Sequence, residues 1–283
     1  MKVVAWLDVA AGRSTMGAMP SSDTADPAAR TKTHPADHTG REVGRDLART
    51  VEHLRAFKVE RTDPGRLYRL MAGDALGQIA TEIELADSLF VDVGGGPGYV
   101  TEEAARRGAR CLSIDRFPSE LLLHGRRPTD ALIADGARLP MRSGCADVVH
   151  CSNVLEHTPV PFEMLDEIVR VVRPGGIAYV SFTNWFSPWG GHETSPWHYL
   201  GGERAARRYR DRHGQEPKNH FGKSLFRLDV RDVVGWTRTR AGDIDVLDLA
   251  PRYLPRFARF VVAVPGVREV VCWNLRLLLR RRP

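Results

Sequence analysis

Five consecutive residues, Gly94-Gly95-Gly96-Pro97-Gly98, stand directly after an apolar run carrying Asp92 and ahead of the helical pattern from Tyr99 to Arg107. Backbone this bare lets a ligand approach closely, and a turn that opens a helix offers free N–H groups. Two more acids close later apolar runs, Asp115 in RCLSID and Asp135 in ALIAD. A carboxylate about twenty residues beyond such a turn is suited to accept hydrogen bonds from two ribose hydroxyls. Phosphate readings lose ground here. A dinucleotide fingerprint needs glycine at its first, third and sixth positions, and counted from Gly94 the sixth is Tyr99. A P-loop needs a Gly-Lys-Ser/Thr ending, and this stretch has no lysine.

A second group of reactive side chains lies downstream, where His192, Glu193, His198 and Tyr199 crowd together. An imidazole there has the right ordinary pKa to act as a base on an acceptor hydroxyl, so His192, His198 and Glu193 are the catalytic candidates. Hydrogen bonding within the loop is the competing role. A metal set drawn from His192, Glu193 and His198 with His213 or His220 has no diagnostic spacing, so no metal site is assigned. Trp185, Trp189 and Trp197 either line a pocket for a flat or greasy acceptor or anchor the loop.

The elements that must position these groups read as an alternating α/β chain. Apolar residues at Val43, Leu47, Val51, Leu54 and Phe57, then at Leu67, Leu70, Met71, Leu76 and Ile79, recur at helical steps. Short apolar runs follow at 88–93, 110–115, 131–135, 146–152 and 176–182, as strands covered on both faces require. A helix is expected over PFEMLDEIVRVV, with Phe162, Leu165, Ile168, Val169 and Val172 as one stripe and RPGG as its stop. The spacing predicts a doubly wound, mostly parallel sheet. Residues 184–223 break the rhythm as an irregular, Trp- and His-rich segment following the fifth strand, at the edge where open α/β sheets place ligands. Beyond it come a helix in DVRDVVGWTRTRAG, a strand in DIDVLDLAP, helical turns in PRFARFVVAVPGVREVVC and a last strand in NLRLLLRR.

Asp92 with GGGPG, Asp115, Asp135 in IADGARLP, SNVLEHT after the fourth strand and RPGG before the fifth fall in the order that resembles class I S-adenosylmethionine (SAM)-dependent methyltransferases of the type 11 group. The stretches TDPGRLYRLMAGD, GGHE and PRYLPR narrow the likeness to actinobacterial, including mycobacterial, methyltransferases of unassigned substrate, over residues 55 to 283. The resemblance implies a Rossmann-like seven-stranded sheet with N-terminal helices, an insert after strand 5 and an antiparallel last strand. It implies SAM as cofactor, held by Asp92, Gly94, Gly95, Gly96, Gly98, Asp115, Arg116, Asp135, Gly136 and Asn153, with Asp92 toward the cationic end and Asp135 beside the adenine amino group. The expected chemistry is methyl transfer to a small-molecule or lipid-like acceptor, at oxygen, by in-line displacement. An RNA methyltransferase and a noncatalytic SAM-fold partner protein are the alternatives.

Composition bounds these readings. With 283 residues and 42% hydrophobic content the chain supports a full core. Four cysteines without paired spacing fit a reducing cytoplasm. Residues 1–40 are expected to be a disordered tail without a targeting signal, and 41–283 a single domain: helical cover 41–85, SAM-binding core 86–183, acceptor-side insert 184–223 and C-terminal part of the sheet 224–283. The net charge of +6 is concentrated in 252–283, where eight arginines face one acid, Glu269. That argues against a nucleic-acid surface over the whole molecule. It leaves peripheral contact of the Arg-rich C-terminus with anionic lipid as an option, while solvated arginines beside strand-completing apolar residues are the expectation.

Overall fold

The computed structural model describes residues 35–60 and 62–283. Two helices lead, α1 (Pro35–Lys58) and α2 (Pro64–Ile79). Asp63 caps α2 by accepting from the Arg66 N–H, and Pro64 fills the first turn, where its missing N–H costs nothing. Then come β1 (Leu89–Val93), α3 (Tyr99–Arg106), β2 (Arg110–Asp115), the single turn α4 (Pro118–Leu121), β3 (Ala131–Ile133), β4 (Ala146–Ser152), α5 (Pro161–Val171) and β5 (Val172–Thr183). The chain closes with α6 (Gly202–His213), α7 (Val230–Thr239), β6 (Ile244–Pro251), α8 (Val267–Val271) and β7 (Asn274–Arg281).

The seven strands form one sheet in the order β3-β2-β1-β4-β5-β7-β6. The first five run parallel, and β7 lies antiparallel between β5 and β6. Alternation along β1 divides the core. Phe90 packs with Ala75, Leu76 and Ile79 of α2 on one face, while Val91 and Val93 pack with Leu165 and Ile168 of α5 and Val233 of α7 on the other. The order reverses between β1 and β4, so their C-terminal ends open a crevice at the switch point.

Several expectations are corrected here. Residues 35–40, assigned to a disordered tail, belong to α1; residues 1–34 of that tail lie outside the described residues. The stripe Val43, Leu47, Val51 on α1 faces outward, with all three more than 40% exposed. Among the described residues α1 meets α2 through its C-terminal half, by Ala56, the half-buried Phe57 and Arg49, which donates to Asp74. In α5 the buried stripe is Met164, Leu165, Ile168 and Val171, whereas Phe162 is exposed and Val172 opens β5. RPGG therefore follows the helix end instead of making it. The segment after β5 is not irregular throughout, since α6 occupies its middle. Two of the arginines expected in solvent are buried, Arg252 at 1% exposure and Arg276 at 5%.

Candidate functional site

The glycine loop is held to the sheet by its own backbone. Gly94 and Gly95 N–H groups both donate to the Ile114 carbonyl of β2, at 2.7 and 3.3 Å. At Gly94 any Cβ would overlap the Val154 side chain, so this glycine is what lets the loop after β1 close on the loop after β4. Gly96 has φ +48°, and a Cβ there would meet nothing nearer than the Glu120 carbonyl at 3.8 Å. Space therefore opens beside Gly96.

Asp115, last residue of β2, is turned to that space. Its Oδ2 accepts from the Gly96 N–H at 3.2 Å and its Oδ1 from the Phe117 N–H at 3.0 Å. Burial raises its pKa, and the two backbone donors oppose that rise. Each oxygen keeps lone-pair capacity for a further donor. Asp92 is buried beneath the loop, its Oδ1 2.7 Å from His150 Nδ1 and its Oδ2 without a partner among the described residues. Unpartnered Oδ2 and the Ser113 hydroxyl sit where a Cβ on Gly95 would fall.

Asp135 lies two residues past β3, not at its end, accepts from the Ala137 N–H at 3.0 Å and stands 3.7 Å from Arg116. Beside these acids Phe117 and Ile133 expose more than half their surface. They are apolar walls that single-residue motif reading does not pick out, although each directly neighbours the acid-bearing strand end. A Cβ on Gly136 would crowd Met164 Cε at 2.7 Å, so this glycine serves packing against α5. Above the loop Tyr99 stacks on Tyr68 of α2 at 5.4 Å, and Arg126 lies 4.2 Å over the Tyr99 ring. The helical cover thereby braces the start of α3.

Asn153, with φ +58°, does not point toward the glycine loop's open side. Its Oδ1 meets Ser152, Ser181, Arg252 and Asn274. The buried Arg252 guanidinium donates from one nitrogen to Ser152 Oγ at 2.6 Å and Ser181 Oγ at 2.8 Å and lies near the Tyr179 and Tyr253 rings. This cation, with no acid within bonding distance among the described residues, ties β4, β5 and the end of β6 together. PRYLPR was its only mark in the sequence.

The downstream cluster divides. His198 is 2% exposed, with Nε2 3.0 Å from the Trp185 carbonyl and Nδ1 3.4 Å from the Ser195 hydroxyl; burial lowers its pKa. Both nitrogens are engaged inside the insert. Glu193 turns away to Asn219, accepting from its N–H at 2.7 Å and its Nδ2 at 3.0 Å. Burial works against its charge, but these donors prevail and hold the carboxyl below the usual range. His192 instead meets residues from the loop after β4. Its Nε2 lies 3.0 Å from His157 Nε2, and the buried Glu156 carboxylate completes a set whose three ligand atoms fall within 4.8 Å of one another. Burial lowers the His192 pKa, with the Glu156 charge opposing and His157 adding to the fall. Thus His192, Glu193 and His198 do not form one site; His192 pairs with Glu156 and His157.

Comparison with known proteins matches a family described as "Methyltransferase domain" to residues 91–180. An uncharacterized methyltransferase of Mycobacterium sp. (strain JLS) is similar at 42% identity, covering 83% of this chain and 95% of the relative. Another, from Mycobacteroides abscessus, is similar at 41% over the same shares. Among solved structures, a SAM-dependent methyltransferase from Mesorhizobium loti aligns with a TM-score of 0.49 and 17% identity, covering 74% of this chain and 98% of that one.

Proposed function

We propose, from the premise that this chain belongs to the SAM-dependent methyltransferases and groups with their mycobacterial members, that it methylates a small or lipid-like hydroxyl compound at the crevice between β1 and β4. The observation that carries this reading is the Gly94–Val154 contact. It sets the open face of the glycine loop beside the loop that carries Glu156 and His157.

The residues fit an adenosyl ligand. In this reading Asp115 accepts from the ribose hydroxyls with the lone pairs its two backbone donors leave free. Phe117 and Ile133 flank the adenine, and Asp135, with Arg116 beside it, faces the exocyclic amine. Bare backbone at Gly95 and Gly96 passes under the amino-acid part, while Asp92 contributes negative charge from below. Gly98 and Gly136 shape the walls, and Asn153 acts at one remove through Arg252.

SAM supplies an activated methyl group on a sulfonium. Passage of that methyl to an acceptor hydroxyl would leave the S–C electron pair on sulfur and release the hydroxyl proton. The chain's task is alignment and exclusion of water, because the leaving group is intrinsically reactive. His192, its imidazole kept neutral by burial, stands beside His157 where the proton must go. His198 and Glu193 hold the insert in shape.

A lipid-like acceptor is favoured over a polar one by exposed Phe257, Phe260 and Val264 beside the exposed Arg256 and Arg259. That pattern suits the surface of an anionic membrane. No helix among the described residues is long and apolar enough to cross one. Incubating the protein with methyl-labelled SAM and fractionated cell extract should place the label in the lipid fraction, on an alkali-stable methyl ether. Label only in RNA would favour the nucleic-acid alternative, and tight SAM binding with no labelled product would favour a noncatalytic partner.

A further inference from the structure

Three lone pairs converge where the loop after β4 meets the insert. His157 Nδ1 lies 2.7 Å from the Ser224 carbonyl, an oxygen that only accepts, so Nδ1 carries the proton and Nε2 is bare. His192 Nδ1 faces the Trp189 carbonyl at 3.4 Å, which asks for the same tautomer. Yet the two Nε2 atoms stand 3.0 Å apart. The third donor is Glu156 Oε2, in a residue 1% exposed and without a partner among the described residues, while its Oε1 accepts from the Thr183 N–H at 2.9 Å. Two imidazole nitrogens and a buried carboxylate oxygen brought this close repel one another unless a proton or a metal ion lies between them.

We propose that Glu156, His157 and His192 form a binding site for a divalent transition-metal ion of the zinc class. Two histidines and one carboxylate are a ligand set found in catalytic zinc sites, where a fourth position stays open for water or substrate. Nitrogen ligands on a tetrahedral ion lie roughly 3.3 Å apart, close to the separation of the two Nε2 atoms. The outer groups that such a site needs are present. The Ser224 carbonyl fixes the His157 tautomer and ring, and the Thr183 N–H fixes the Glu156 carboxylate. The three ligands come from either side of β5, so an ion here also pins the insert to the sheet edge.

The inference deepens the methyl-transfer reading and rests on it for its chemical meaning. An acceptor hydroxyl in the open position would have its pKa lowered by the ion, so the proton leaves to solvent before or during methyl transfer. His192 then acts as a ligand, not as the base.

The full-length chain is titrated with Co2+, followed by its visible d–d absorption, and with Zn2+ in competition. The expected result is one ion per chain, bound on the order of micromolar or tighter. His192→Gln and His157→Gln should each weaken binding about 100-fold and abolish the low-symmetry bands. His213→Gln, a change on the exposed end of α6, should leave both unchanged. Circular dichroism checks folding, and if His157→Gln unfolds the chain, His192→Gln decides alone because His192 lies in the insert. Absence of d–d bands in the wild type, or equal binding by His192→Gln and wild type, overturns the site. SAM is titrated into the same samples. Co2+ binding without SAM binding would refute the methyl-transfer reading and leave the metal site standing, and the converse would do the opposite.

Discussion

The two halves of the sheet edge solve their polar bookkeeping differently. On the β2–β3 side, the carboxylates at and just past the strand ends are satisfied by backbone N–H groups of their own or the adjacent loop, as Asp115 is by Gly96 and Phe117, and Asp135 by Ala137. Across the crevice, side chains meet partners far away in sequence: His157 with His192, Glu193 with Asn219, Asn153 with Arg252. The first half is a rigid cradle written into short motifs. The second is assembled only when the insert and the end of β6 fold back over β4.

That contrast is exposed to test, first on the acceptor half. If His192 serves only the reacting acceptor, His192→Gln should lower kcat by about 10²–10⁴-fold, the range for losing a positioned proton acceptor or an equivalent activating group. The SAM Kd measured by calorimetry should not move. A parallel loss of SAM affinity would mean the halves are one site. Next comes the joint between them. Gly94→Ala forces a Cβ into Val154 at a residue with φ +72°, and should cost about 2–4 kcal/mol of stability, read as a lowered urea midpoint. An unchanged midpoint would show that the two loops are not locked together.

A smaller effect probes the cradle's electrostatics. Burial raises the Asp115 pKa, so the folded state holds this proton more tightly than the unfolded chain does. Its contribution to stability is therefore most favourable below the ordinary aspartate range, and is lost as pH rises through the shifted value. Asp115→Asn removes that titration. Without SAM, the difference in Tm between variant and wild type should shift in the variant's favour as pH rises across that window. A pH-independent difference would show that burial is not what moves this carboxyl.

The same contrast explains what the sequence could reveal. Strand ends β2 and β4 fall where the apolar runs stop, and the antiparallel β7 coincides with NLRLLLRR, because periodicity and turn chemistry act locally. The places of Asp92 in β1, Asp115 at the end of β2 and the glycines in the turn between β1 and α3 follow from the same local rules. Glu156 and His157 had no such mark: a helix cap and a ligand look alike until the residue 35 positions downstream arrives opposite them. The outward face of α1 misled because helical spacing reports an apolar stripe without reporting whether anything packs on it. Arg252 misled in the opposite sense. An arginine in a basic stretch reads as solvated, and its burial is made tolerable by the Ser152 and Ser181 hydroxyls, the Asn153 Oδ1 and two tyrosine rings, brought close by sheet order.

The central claim is that Asp115, at the end of β2, holds the adenosyl half of SAM while the acceptor chemistry lies across the crevice. Isothermal titration of SAM into wild type and Asp115→Ala tests it most directly. The account predicts saturable binding by the wild type and a roughly 10- to 100-fold weaker Kd for the variant, the loss of hydrogen bonds to a charged acceptor, with the variant still folded. Equal affinity in the two proteins would contradict it.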